Sequence, residues 1–309
     1  MYKGHLVFFS GGSASWYVAY KVKQMYGKDA LHLLFTDTLI EDNDLYRFII
    51  ETASKLYENS SERVAELIKR ASELPLVHTD MLARKAALEK LRLDTIKELP
   101  RLHWLSEQRD VWGVFYDGRF LGNSRIAPCS AQLKQRMAKR YVMPNFNPDE
   151  TTLYLGIDWT EEHRTKAPRK NWAPFPVEYP LVDDLTFNKI DIMRELERQE
   201  IEPPRLYAMG FVHNNCGGFC VRAGQGHFAN LLEKNRELYL YHEKREQDFI
   251  KWRGADVAIL KRTRKGVTRP LTLKQLREEL DAKMTQDVDF MDLGGCGCFV
   301  TEDDKDEKI

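Results

Sequence analysis

The feature that most narrows the fold lies near the amino terminus. HLVFF (5–9) is an unbroken apolar run, and the chain then turns through Ser10, Gly11 and Gly12 into a segment with helical spacing, residues 14–26. ALHLLFTDT (30–38) is a second apolar run with polar residues at its carboxyl end. Residues 43–57 then return to helical spacing through Leu45, Phe48, Ile49 and Ala53. Strand–helix units repeated this closely build parallel sheets with right-handed crossovers. The sequence therefore predicts an α/β protein with a Rossmann-like, doubly wound, mainly parallel sheet.

Further along, the pattern predicts a charged helix over 61–72 and a third strand in LPLVHTD (74–80). Residues 84–110 read as a helical, solvated face. A loop, RFLGNSRIAPCS (119–130), leads into a helix from Ala131, and TTLYLGID (151–158) reads as a strand. A Pro-rich connection (168–182) precedes a helix from Lys189 to Gln199. Two helices, 229–252 and 273–284, flank a strand in ADVAILKR. The 309 residues suffice for one large or two modest domains. Lys plus Arg and Asp plus Glu both count 47, so any attraction for a polyanion must come from local patches. The basic run 251–269, with Lys251, Arg253, Lys261, Arg262, Arg264, Lys265 and Arg269, is the one candidate surface for nucleic acid. With no 18-residue apolar stretch and no secretory pattern at the start, a cytosolic protein is expected.

Glycines between a strand and a helix let backbone amides approach phosphate closely, aided by the helix amino terminus. Gly11 and Gly12 occupy that position, and Ser10, Ser13 and Ser15 add hydroxyl donors. Ligands of open α/β sheets bind beyond the carboxyl ends of the strands, where this turn and Thr36-Asp37-Thr38 are expected to meet. The five cysteines are Cys129, Cys216, Cys220, Cys296 and Cys298. HNNCGGFC and GGCGC set four of them in two short-spaced pairs on glycine turns, a thiolate set suited to tetrahedral zinc or to an iron–sulfur cluster. His78, His213 and His227 are further candidates that read first as structural histidines, and the group Asp158, Glu161, Glu162 and His163 is equally explained as a solvated helix start.

Strand–SGGxxS–helix–strand–DT resembles the PP-loop ATP pyrophosphatases, and within them the phosphoadenosine-phosphosulfate (PAPS) reductase group. LFTDTLIEDNDLYRFI, the Arg125–Cys129–Lys134 segment, LGIDWTEEHR with Gly156, Ile157, Glu162 and Arg164, and YPLVDDLTFNKIDIM resemble that group's segments in the same order. The resemblance implies an adenine nucleotide alpha hydrolase-like domain over 1–228, followed by a helical, cysteine-bearing extension over 229–309. It implies that Ser10, Gly11, Gly12, Ser13 and Ser15 hold the phosphates of ATP or a related adenosine nucleotide, with Asp37, Thr38, Arg125 and Gly156 also around the nucleotide. Lys134 and Arg164 would stabilise charge. Cys129, Cys216, Cys220, Cys296 and Cys298 would supply a [4Fe–4S] cluster, or zinc, and Cys296 or Cys298 a reactive thiol. The implied activity is ATP-driven adenylation and sulfur insertion on a nucleic acid or nucleotide, with a sulfur-donor or reductant protein as partner. The alternatives are direct sulfonucleotide reduction or a non-catalytic nucleotide-binding or nucleic-acid-binding module. Many members carry Lys-Asp inside the loop. Here Ser13-Ala14 stand instead, which removes a Mg-side acid and a cation that Lys21, Arg125, Lys134, Arg164 or Lys166 can replace.

Overall fold

The computed structural model describes residues 1–184 and 188–295. Five strands form one sheet: β1 (Tyr2–Phe8), β2 (Leu31–Asp37), β3 (Leu102–Ser106), β4 (Phe146–Tyr154) and β5 (Val177–Glu178), in the order β3-β2-β1-β4-β5. Every neighbouring pair is parallel. From β1 the chain builds outward through β2 and β3, then returns past β1 to add β4 and β5. The order reverses between β1 and β4.

Side-chain alternation shows why helices must cover both faces. Val7 and Phe9, with Leu33 and Phe35, enter one apolar cluster. Leu6 and Phe8, with Leu34, enter another on the opposite face. The first cluster is completed by α1 (Ser13–Tyr26), α2 (Asn43–Tyr57), α3 (Glu62–Ser72), α4 (Met81–Glu98) and, from later in the chain, the helix Lys189–Arg198. After β3 come α5 (Val111–Asp117) and α6 (Pro128–Ser130), which continues through a π-helical turn (Ala131–Arg136) into α7 (Met137–Asn145). Ala138 and Val142 of α7 cover the second face with Trp172 and Phe175, beyond α8 (Lys166–Asn171). The helix Lys189–Arg198 is α9, followed by α10 (Arg205–Ala208), α11 (Gln225–Lys234) and α12 (Arg236–Arg253). A hairpin of β6 (Leu260–Arg264) and β7 (Val267–Leu271) precedes α13 (Leu273–Asp281).

A third apolar cluster joins Ile40, just beyond β2, to Trp112, Phe115, Leu133, Phe219, Phe228, Tyr239, Phe249 and Leu273. It takes residues from both sides of residue 228 and contains Cys129 and Cys216.

Three local readings are corrected. LPLVHTD is a series of turns, because side chains claim its carbonyls: Asn43 Nδ2 donates to Leu74 O and Arg84 Nη1 to Pro75 O, both at 2.6 Å. The third strand is LHWLS (102–106), five residues inside the stretch read as a solvated helix. That stretch also holds Arg84, which is fully buried. The helix expected over 229–252 is two helices, separated at Asn235, whose side chain accepts from Leu238 N and caps the second.

Candidate functional site

β1 ends at Phe8 and α1 starts at Ser13, with Gly12 as its N-cap and no side chain from that position closing the helix amides. Gly11 turns with φ +80°, and a Cβ there would lie 2.7 Å from Leu45, so glycine is required by both backbone and space. Ser15 Oγ donates to Gly12 O at 2.8 Å, and Ser10 Oγ to Ser15 Oγ at 3.3 Å. Gly156, just past β4, lies against the same turn: a Cβ there would come within 3.0 Å of Ser15 N. The loop is thus a tight cradle of amides and hydroxyls between the carboxyl ends of β1 and β4.

A cleft of about 450 Å³ opens at this point. Ser10, Gly12, Ser13, Ala14 and Ser15 form one wall, and Gly156, Ile157, Asp158, Glu161 and Arg164 another. Tyr207, His213, Asn214 and Asn215 close it. Its size suits a small-molecule ligand, and its place at the reversal of strand order is where open α/β sheets bind theirs. Asn214 Nδ2 donates to Gly11 O at 2.8 Å, while its Oδ1 is buried with no partner among the described residues. An unmatched buried acceptor on a cleft wall costs free energy until something donates to it.

Other sequence candidates fall elsewhere. Asp37 lies in the core, accepting from Leu39 N at 2.7 Å, Tyr46 Oη at 2.8 Å and Trp104 Nε1 at 3.1 Å. Burial pushes its carboxyl up from the usual value in spite of those donors. Thr38 donates to Glu41 Oε1 at 2.9 Å and faces a different, small cavity of about 20 Å³, room for roughly one water. That cavity gathers Cys129, Cys216, Cys220, Ser130, Lys134 and Arg222. Three cysteines separated by up to 91 positions in sequence are therefore brought to one place, Cys129 to Cys220. Lys134 is buried here, 3.8 Å from the buried Glu41, rather than in the cleft. Burial raises the Glu41 pKa, opposed by the Lys134 charge, and Cys216 N donates to Glu41 Oε2. Lys21 pairs with Asp184 at 2.8 Å, away from the loop. Arg164 is ion-paired to Glu161 on the cleft wall, and Arg125 is exposed. Cys296 and Cys298 lie outside the described residues.

Three thiols on one cavity have the donor chemistry of a thiolate metal or cluster site. Among the described residues, however, no three of His, Cys, Asp and Glu are disposed to hold an ion, so no step below is taken through a metal. His227 donates from Nε2 to Gly218 O at 2.7 Å, and burial lowers its pKa. His78 lies 3.1 Å from Glu237. A third, open cavity of about 520 Å³ adjoins the cleft and is lined by Glu161, His163, Arg164, Arg222, Lys261 and Asp292, among others. It shares Glu161 and Arg164 with the cleft, and Arg222 with the thiol cavity. The third cavity thus borders both of the others through shared wall residues.

Sequence reasoning missed Tyr207, Asn214, Glu41 as an organiser of the Cys216 loop, and Arg222. Tyr207 and Asn214 lie near 200 residues from the loop they touch, and only the resemblance in order, running to residue 228, pointed to that part of the chain. No helix is long and apolar enough to cross a membrane among the described residues. Fold and cleft together define a Rossmann-like α/β protein with a ligand-sized cleft at the switch point of its sheet. Comparison with protein-family models, curated proteins and solved structures returned no match.

Proposed function

We propose that the cleft binds an adenosine nucleotide with its phosphates on Ser10–Ser15, and that the chain is a PP-loop, PAPS reductase-like enzyme of sulfur transfer. The observation that carries the reading is the cleft itself: a 450 Å³ space at the β1/β4 reversal, walled by a glycine-serine turn that opens a helix. The Ser13 amide and the Ser10, Ser13 and Ser15 hydroxyls would bind phosphate oxygens, and Arg164 would offset charge growing at the α-phosphorus. No lysine or acid stands inside the loop, so substrate positioning by backbone amides carries more of the work.

In the reaction proposed, an acceptor oxygen attacks the α-phosphorus and pyrophosphate leaves. The outer sulfur of a cysteine persulfide, charged by an external persulfide donor, then attacks the carbon bearing the adenylate, and AMP leaves with the oxygen. A second thiolate opens the resulting mixed disulfide, releasing the thiolated product and leaving a protein disulfide for an external thiol to reduce. Cys220 is the most exposed of the three described cysteines and suits the persulfide, with Cys216 beside it as the resolving thiol.

Incubation with ATP, acceptor nucleic acid and a persulfide donor should release pyrophosphate and AMP in equal amounts. Gly156→Val, which drives a side chain into the first turn of α1, should abolish release and ATP binding while far-UV circular dichroism is unchanged. ATP that binds but is never cleaved with any acceptor would reduce the protein to a nucleotide-binding module. Sulfite release from a sulfonucleotide without ATP would replace adenylation by direct reduction.

A further inference from the structure

The middle of the three cavities shares Glu161 and Arg164 with the nucleotide cleft and Arg222 with the thiol cavity. It therefore borders both through shared wall residues. Two of its cations stand apart from the ion-paired ones elsewhere in the protein. Arg47, Arg63, Arg70, Arg92, Arg109, Arg236 and Arg277 are all held by carboxylates within 3.3 Å. Arg222 and Lys261, on the middle cavity, have no carboxylate at ion-pair distance among the described residues. The polar contact of Arg222 is Nη2 donating to Arg125 O at 3.5 Å.

The row of such charges continues out of the cavity. Leu260 and Lys261 line it and begin β6, and the β6–β7 hairpin projects as a separate two-stranded sheet. Residues 260–271, LKRTRKGVTRPL, carry five basic residues and no acid. Two are committed: Arg262 turns inward to Gln225 and Glu279, and Arg264 pairs with Asp287. Lys261, Lys265 and Arg269 remain exposed and without a carboxylate partner among the described residues, but Arg269 is paired across the hairpin with Arg262 and so stands on the opposite face from Lys261. Lys265 and Gly266 form the turn with φ 47° and 78°, the two left-handed residues of a tight hairpin, so the tip charge is held on rigid backbone. Acids are not absent: Glu161 is taken by Arg164, and Asp292 accepts from Gln225 N at 3.3 Å.

We propose that the middle cavity is the acceptor site and that it takes a single-stranded polynucleotide, led in along β6 by Lys261 and by Lys265 at the hairpin tip, with Arg222 on the phosphate nearest the reacting group. A mononucleotide would need the cavity alone. Lys261 at the cavity and Lys265 at the hairpin tip, about 13 Å apart at about 3.3 Å per residue, extend the charge of Arg222 beyond the reach of one nucleotide and match a repeating polyanion. This inference rests on the nucleotide reading of the neighbouring cleft, and the experiment separates the two.

Fluorescence anisotropy of a labelled single-stranded oligonucleotide of about 20 nucleotides, longer than one binding fold usually covers, reads the interaction with the whole chain. Binding should weaken with salt, with a log–log slope that falls by about 0.7 for each phosphate contact removed. The double variant Lys261→Glu and Lys265→Glu should weaken binding at least tenfold and flatten that slope. Its calorimetric ATP affinity should stay at the wild-type value, which also shows that it folds. Arg222→Ala should weaken the strand and leave ATP binding in place. Unchanged strand binding in the hairpin variant overturns the proposal, as does equal displacement of the strand by a 5′-mononucleotide. Wild-type protein that binds the strand in this hairpin-dependent way but does not bind ATP supports the acceptor site and overturns the cleft reading instead.

Discussion

Ser13 N and Ser13 Oγ both donate to Tyr207 Oη, at 3.2 and 3.4 Å, so a phenol oxygen stands where a phosphate oxygen would be bound. α10 holds it there: Arg205 N donates to Asp44 at 2.7 Å and the Arg205 guanidinium pairs with Asp42 at 2.7 Å. Phosphate bound there as proposed must displace the hydroxyl, and a net hydrogen bond is worth about 1 kcal/mol. Tyr207→Phe should therefore tighten ATP binding roughly threefold to tenfold by calorimetry. Weaker binding would instead make the hydroxyl a phosphate ligand. At this scale the sequence was legible where short spacing carries the chemistry, as in Ser10, Gly12, Ser13 and Ser15, which do share one cleft wall. It was illegible where a residue's role is set from far away. Arg84 reads as one more charge on a charged helix, yet it is fully buried and donates to Leu39 O, Asn43 Oδ1, Pro75 O and Glu41 O. It thereby fixes the loop that carries Glu41 to Cys216.

Among the elements, β1, α1, β2 and α2 were readable because apolar runs and helical spacing alternate there without interruption. α2 spans the residues its spacing predicts, Asn43–Tyr57. β3 was hidden: it is short, and the charged chain on either side masks it. What places it is tertiary. His103 on β3 meets His32 on β2, with His32 Nδ1 and His103 Nε2 at 3.0 Å, and Tyr141 Oη lies 2.7 Å from His103 Nδ1. Burial lowers both histidines, His32 to about 4, with Arg101 adding to the shift, and His103 to about 3. The folded pair is neutral, whereas unfolded histidine takes a proton near pH 6.5. Their contribution is therefore whole above about pH 6.5 and is lost as pH falls toward 4. Asp37 and Glu41, whose carboxyls are raised by burial, shift the balance the other way, so a comparison isolates the histidines. The urea midpoint of wild type should fall from pH 7 to pH 4.5 more steeply than that of the double variant His32→Leu and His103→Leu. Parallel curves would contradict the neutral pair.

For the whole molecule, the sheet order places the loop after β1 beside the end of β4, and the apolar cluster around Trp112 and Phe219 anchors the cysteine segment beyond β2. The middle cavity borders both the cleft and the thiol cavity through shared wall residues. Sequence pattern predicted the doubly wound sheet and a site at its carboxyl edge. It gave no hint that Lys134 and Thr38 face the thiols while Gly156 and Arg164 face the cleft, since that division depends on how β2 and β4 diverge around β1. ATP bound in the β1/β4 cleft with its phosphates on the loop, as proposed, should be visible by hydrogen–deuterium exchange with and without ATP. New protection should be confined to peptides covering residues 10–16, 155–165 and 207–215. Protection at other segments with the loop unchanged would contradict it.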